Sequence, residues 1–332
     1  MNGIFIQTPT SKPPLFNYIS FGKVLSIDAI SQTIENSNQV NNTYLMLQEL
    51  LKAFMNQISS LKALRYSREF QGISFINFPG AKDCLTDLSA FDCYSDTCSN
   101  FFHQLSQICY NIQTLIIIIE NCISNGLKEL ISLQNNLKHL ELIIFGYEGW
   151  TDIIPALTKH YNTLKKLYIQ VNGRNGSLSF ITAFKNLQEL VIATSRINIF
   201  HEIEFQNVIF SNLQVLNVPY GNLVDDVFTK FLENNGTNLV ELNILNTGKI
   251  VKSSIAQLCP NLKKIFTLFS NYELDILKAI FNGFQYLESI VVWCGDDYLN
   301  GKGVKKFISF NHISSRFVHS SVEPGLSYNL IP

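Results

Sequence analysis

Asn212-Leu213-Gln214-Val215-Leu216-Asn217-Val218 is the stretch on which the reading of this chain turns. Asn238-Leu239-Val240-Glu241-Leu242-Asn243-Ile244 and Asn186-Leu187-Gln188-Glu189-Leu190-Val191-Ile192 repeat it position for position. Asn136-Leu137 to Leu142, Thr163-Leu164 to Ile169 and Cys259-Pro260-Asn261-Leu262-Lys263-Lys264-Ile265 are further close copies. Looser copies begin at Leu61, Leu85, Ile112 and Leu287. The first apolar positions, 61, 85, 112, 137, 164, 187, 213, 239, 262 and 287, are therefore 23 to 27 residues apart.

A recurrence of L-x-x-L-x-L at that period is the pattern of a leucine-rich repeat, in which each unit buries its apolar face only by stacking on its neighbours. The expected fold is an α/β solenoid, a horseshoe with parallel strands on the concave face and helices on the convex face. Between the strand motifs the apolar period becomes helical. Phe102, Leu105 and Ile108 share a face, as do Val227, Phe228, Phe231 and Leu232, and Leu274, Leu277, Ile280 and Phe281. Thr151-Asp152 is a plausible helix start, with Pro155 close behind it. Asn precedes the first apolar residue in six units, at 111, 136, 186, 212, 238 and 261, where it suits the turn out of a helix.

Three segments follow from this frame. Residues 1–58 form an N-terminal segment in which Ser26 to Ile34 and a stretch opening at Asn42 or Thr43 are helical, and the Leu47–Phe54 face covers the first strand. Residues 59–295 are the repeat array. Residues 296–332 carry no further motif and form an irregular tail, leaving the strand at Leu287 to Trp293 with a poor cover.

Apolar residues make up 46 % of the 332, charged residues 15 %, and the net charge is −1. That composition suits a continuous core and provides no basic face for nucleic acid. The most apolar stretch, Leu115 to Ile119, is too short to span a bilayer. Seven scattered cysteines and a poor secretory start point to a reduced, intracellular protein of the cytoplasm or nucleus. The sequons at Asn41, Asn175 and Asn235 then carry no glycan.

No phosphate-binding glycine loop and no catalytic constellation is visible, so the expectation is a binding module rather than an enzyme, with no cofactor. Cys93, Cys98, His103 and Cys109 lack the tight spacing of zinc ligands, and buried or idle thiols are the better account. Trp150 reads as loop packing. The strand positions facing away from the core are more informative. The middle outward column is Arg65, Ser89, Ile116, Glu141, Tyr168, Val191, Asn217, Asn243, Phe266 and Val291. Two residues further on run Ser67, Phe91, Ile118, Ile143, Gln170, Ala193, Pro219, Leu245, Leu268 and Trp293. A mostly apolar outward column marks a partner site. The candidate partner-binding residues are Tyr168, Val191, Leu245, Phe266, Leu268, Val291 and Trp293, and the partner is a protein of unknown identity, not nucleic acid and not membrane. The plainer alternatives are strand propensity or cover by the C-terminal tail.

Phe16-Asn17-Tyr18-Ile19-Ser20-Phe21, Phe78-Pro79-Gly80-Ala81-Lys82, Phe231-Leu232-Glu233-Asn234-Asn235-Gly236 and Cys259 to Lys263, in that order, resemble the fungal family of F-box/leucine-rich-repeat proteins over residues 14–300. The resemblance implies a substrate-recognition part of a ubiquitin-ligase subunit, whose F-box docks on a Skp-type adaptor. No F-box is visible here, so adaptor binding is expected only if one lies upstream. The alternative is a truncated or free-standing repeat scaffold without ligase coupling.

Overall fold

The structure is a computed structural model. It describes residues 16–36, 43–66, 73–145, 148–172, 177–194, 203–219, 223–245, 247–269, 273–294, 304–309 and 321–322. Two compact units divide the chain, residues 1–163 and 164–332.

In the first unit five parallel strands follow chain order: β1 (Val24–Ser26), β2 (Ala63–Arg65), β3 (Ala90–Tyr94), β4 (Thr114–Ile119) and β5 (His139–Ile144). Helices α1 (Ile27–Asn36) and α2 (Thr43–Gln57) join β1 to β2. Then α3 (Ala81–Leu85), α4 (Ser99–Ser106) and α5 (Asn125–Ser132) alternate with the strands, and α6 (Ile154–Leu157) follows β5. Successive helices pack on one another, α4 against α5 and α5 against α6, as the right-handed crossover common between parallel strands would place them. Alternation along β4 shows the result: Leu115, Ile117 and Ile119 are at most 1 % exposed, whereas Ile116 and Ile118 are half-buried. Rings fill the early part of the core, with Tyr66 stacked on Phe101 at 4.3 Å and Phe101 edge-on to Phe75 and Phe102.

The second unit has six parallel strands: β6 (Lys166–Val171), β7 (Glu189–Ala193), β8 (Val215–Val218), β9 (Glu241–Ile244), β10 (Lys264–Phe269) and β11 (Ser289–Cys294). Helices α7 (Ile203–Asn207), α8 (Asp225–Asn235), α9 (Lys249–Leu258) and α10 (Leu274–Gly283) separate the later ones. Phe228 stacks on Phe231 at 6.0 Å, and Leu216, Leu242 and Ile244 are wholly buried. An α/β fold of parallel strands alternating with helices is thus established for each unit.

Side chains at the helix ends tie each repeat to the one before. Gln134 accepts from the Ile112 N–H (2.8 Å) and donates to the Cys109 and Leu130 carbonyls (both 2.9 Å). Asn235 does the same with the Phe210 N–H (2.7 Å) and the Val208 and Phe231 carbonyls (both 2.9 Å). With no exposed surface and all its hydrogen-bonding edges in use, Asn235 has no room for a glycan in the folded chain. Cys109 Sγ donates to the Leu85 carbonyl, and His160 Nε2 meets the Ile131 carbonyl at 2.9 Å. The Asn residues before the strands reach back as well: Asn238 donates to the Ser211 carbonyl and Asn261 to the Thr237 carbonyl. Gly236 allows neighbouring helix ends to approach closely, since a Cβ there would lie 2.5 Å from the Leu258 carbonyl oxygen.

His160 supplies a pH dependence. Burial lowers its pKa from the ordinary value of 6.5, against the raising influence of the Ile131 hydrogen bond. The unfolded chain therefore binds more protons than the folded one between the lowered value and about 6.5, so stability is complete above that window and falls as pH drops through it. Asp92 and Glu141, raised by burial, act with the opposite sign in the carboxylate range. Denaturant titrations at pH 7.5 and 5.5 are expected to show a loss at the lower pH that shrinks in His160→Gln. An equal loss in both proteins would remove His160 as its source.

Four expectations change. The unit placed at Leu85 is framed instead by Leu88, Phe91 and Cys93, because Leu64 pairs with Phe91 and Phe91 with Leu115. Phe91 is therefore core (0 % exposed), and Asp92, not Ser89, holds the middle outward position. The first 58 residues hold a strand, β1, outside β2, and α2 packs beside α1 and α3 with Leu47, Leu51 and Met55 buried. The helix foreseen at Thr151-Asp152 opens as a 3-10 stretch, Glu148–Ile153, with Pro155 in the first turn of α6. Finally, the tail contributes β12 (Val304–Ser309), antiparallel to β11, and β13 (Ser321–Val322), antiparallel to β12.

Candidate binding face

The outward face of β6 to β11 carries three rows. The first is charged: Lys166 pairs with Glu189 at 2.7 Å, and Lys264 stands 3.5 Å from Glu241. The pairs follow from register, since Lys166 lies opposite Glu189 and Lys264 opposite Glu241. These side chains are largely solvated, so the pairs orient the row more than they stabilise the fold.

The middle row is Tyr168, Val191, Asn217, Asn243, Phe266 and the Val291 position, joined rung to rung by the pairings Tyr168–Val191, Val191–Asn217, Asn217–Asn243, Asn243–Phe266 and Phe266–Val291. Tyr168, Val191, Asn217, Asn243 and Phe266 are all half-buried. Tyr168 donates its hydroxyl to Gln170 Oε1 at 3.0 Å. The Oδ1 atoms of Asn217 and Asn243 are occluded and have no hydrogen-bond partner among the described residues. A buried acceptor left unmade costs about 1–3 kcal/mol, and here two stand on adjacent rungs.

The third row is Gln170, Ala193, Pro219, Leu245 and Leu268, followed by the Trp293 position. Leu268 is half-buried, but Leu245 is only 8 % exposed and is not offered to a partner. Val291 and Trp293 occupy β11 opposite Phe266 and Leu268, and their side chains lie outside the described residues. Across the antiparallel pairing Val291 is opposite Phe307 and Trp293 opposite Lys305. The tail strand β12 therefore extends the sheet at its edge.

In the first unit the outward face differs. Arg65 Nε lies 3.2 Å from Asp92. Burial raises the Asp92 carboxyl above its usual value, opposed by Arg65, and burial followed by the Asp92 charge raises Glu141. Ile116 separates these two acids in the register.

Of the proposed partner residues, the structure brings Tyr168, Val191 and Phe266 into one row with Leu268 beside them. Asn217 and Asn243 were the ones passed over. Their signal was present, since they hold the same place in two successive close copies of the motif.

Among the described residues no three His, Cys, Asp or Glu side chains gather as a metal site. Cys84, Cys93, Cys98, Cys109, Cys122 and Cys259 are free thiols. Burial pushes Cys109 and Cys259 up to about 12, which keeps them protonated and unreactive. Trp150 is fully buried, as packing requires. No helix among the described residues is long and apolar enough to cross a membrane. Comparison with known family models and with curated proteins finds no match.

Proposed function

We propose that each unit is a leucine-rich-repeat solenoid with its strands on a concave face, and that this face of the second unit captures a protein partner. The observation that carries the reading is the middle row of the second unit, where aromatic, aliphatic and unpaired amide side chains stand side by side on a face that needs none of them for the core. The resemblance to F-box/leucine-rich-repeat proteins supports a substrate-recognition role in a ubiquitin ligase, with coupling to a Skp-type adaptor only if an F-box is present upstream. A free-standing repeat scaffold is the second reading.

Proximity labelling in cells followed by direct binding tests the face. Phe266→Ala combined with Leu268→Ala is expected to weaken partner binding about tenfold or more, the scale of a central aromatic anchor, with the melting temperature close to wild type. Unchanged binding would show that this row is not the contact. A large fall in melting temperature would show instead that the two side chains serve the core.

A further inference from the structure

We propose that the position formed by Asn217, Asn243, Phe266 and Glu241 receives an arginine side chain of the protein partner. The inference rests on the protein-binding reading of the face and adds the chemistry of its central contact. Asn217 and Asn243 sit on neighbouring rungs, whose strands are about 4.8 Å apart, and among the described residues neither carboxamide oxygen has a donor. No hydrogen bond to either oxygen is broken when the carboxamides turn about χ2, the broad torsion of an Asn side chain, to bring the acceptors outward.

The group that suits two such acceptors must supply divergent N–H donors from one plane. Guanidinium does so, with five donors and no acceptor to be left over. Its surroundings fit as well. Phe266, half-buried, occupies the next rung beside Asn243 and supplies an aromatic ring suited to cation–π contact. Glu241 lies two residues before Asn243 on the same strand, hence on the same face. At 3.5 Å its contact with Lys264 is beyond good hydrogen-bond length, and the carboxylate is 43 % exposed, which leaves it open to an arriving cation. A lysine would satisfy the charge but not the planar fork, and a neutral amide would satisfy neither the carboxylate nor the ring.

A random twelve-residue peptide library displayed on phage, selected on the full chain, tests this and needs no identified partner. Peptides whose binding is lost in Phe266→Ala with Leu268→Ala report on the face. Among them arginine is expected to be enriched at one position. Replacing that arginine with lysine or citrulline in synthetic peptides should weaken binding about tenfold, the scale of one charge-assisted bidentate contact. Asn217→Leu with Asn243→Leu should abolish the preference, and Asn243→Asp, which keeps the shape and adds charge, should strengthen it. Peptides that use the face but carry no arginine preference, or that bind the leucine variant and the citrulline peptide equally well, overturn the arginine assignment and leave the binding face standing. A library that yields no face-dependent peptide overturns both.

Discussion

Asn235→Ala is expected to lower the stability of the second unit by about 3–5 kcal/mol, because two buried backbone groups lose their partners at once and the Phe231 carbonyl keeps only its helical bond. The Phe210 N–H and the Val208 carbonyl belong to the preceding repeat, and the Phe231 carbonyl to the same helix. Each buried group left unsatisfied costs about 1–3 kcal/mol, and alanine supplies no replacement. At about 2–4 °C per kcal/mol for a unit of this size, the melting temperature should fall by roughly 10–15 °C. Asn238→Ala is the matched control. That side chain is exposed and makes one bond, to the Ser211 carbonyl, so its loss should cost under about 1 kcal/mol. Thermal unfolding of both variants decides the matter, and a melting temperature for Asn235→Ala within about two degrees of the control would end the argument.

The second large effect concerns Lys252 and Glu273. Lys252 Nζ lies 2.8 Å from Glu273 Oε2, the two side chains are 5 % and 6 % exposed, and the ammonium sits 5.4 Å from the centre of the Phe269 ring. Glu273 immediately precedes α10, and Lys252 belongs to α9, so the pair bridges the last two helices. Desolvation offsets much of the attraction in such a pair, but removing one partner strands the other charge. Lys252→Met alone is expected to cost about 3–5 kcal/mol. Lys252→Met with Glu273→Leu should recover most of that loss, since no charge is then left buried. Denaturant unfolding of the four proteins of this cycle gives the coupling directly. A double variant as unstable as the sum of the two single ones would show that the charges act separately.

Most of the strand frame was legible because burial and period coincide. In the Leu213 and Leu239 units, for example, the observed register is the one the motif implies. The slip at Leu85 has a physical origin. Leu85 ends α3 and Leu88 begins the strand frame, both are buried, and two leucines three apart serve a helix end and a strand start equally well. Phe91 and Cys93 fill strand positions that Leu or Ile fills elsewhere. The tail strand β12 was hidden because it pairs antiparallel and needs no repeat motif, and β1 because three residues are too few to show a period. On the candidate face, the outward places of Tyr168, Val191, Phe266 and Leu268 could be read from position alone, whereas the burial of Leu245 could not. The unpaired state of Asn217 and Asn243 could not, since it depends on which atoms the neighbouring rungs bring within reach.

The latches at the helix ends also bear on how quickly the chain acquires its structure. Gln134 reaches Cys109 and Asn235 reaches Phe210 across 25 residues each, the same separation that sets one strand beside the next. Against a chain of 332 residues that separation is about 0.08 of the length, short beside the non-local pairings that make β-rich domains slow to fold. Each closure spans a short loop and spends the same modest entropy as the last. A sheet of parallel strands is ordinarily slow to assemble; here its pairings are local in sequence, and ordering can start at any well-packed pair of repeats and spread to its neighbours.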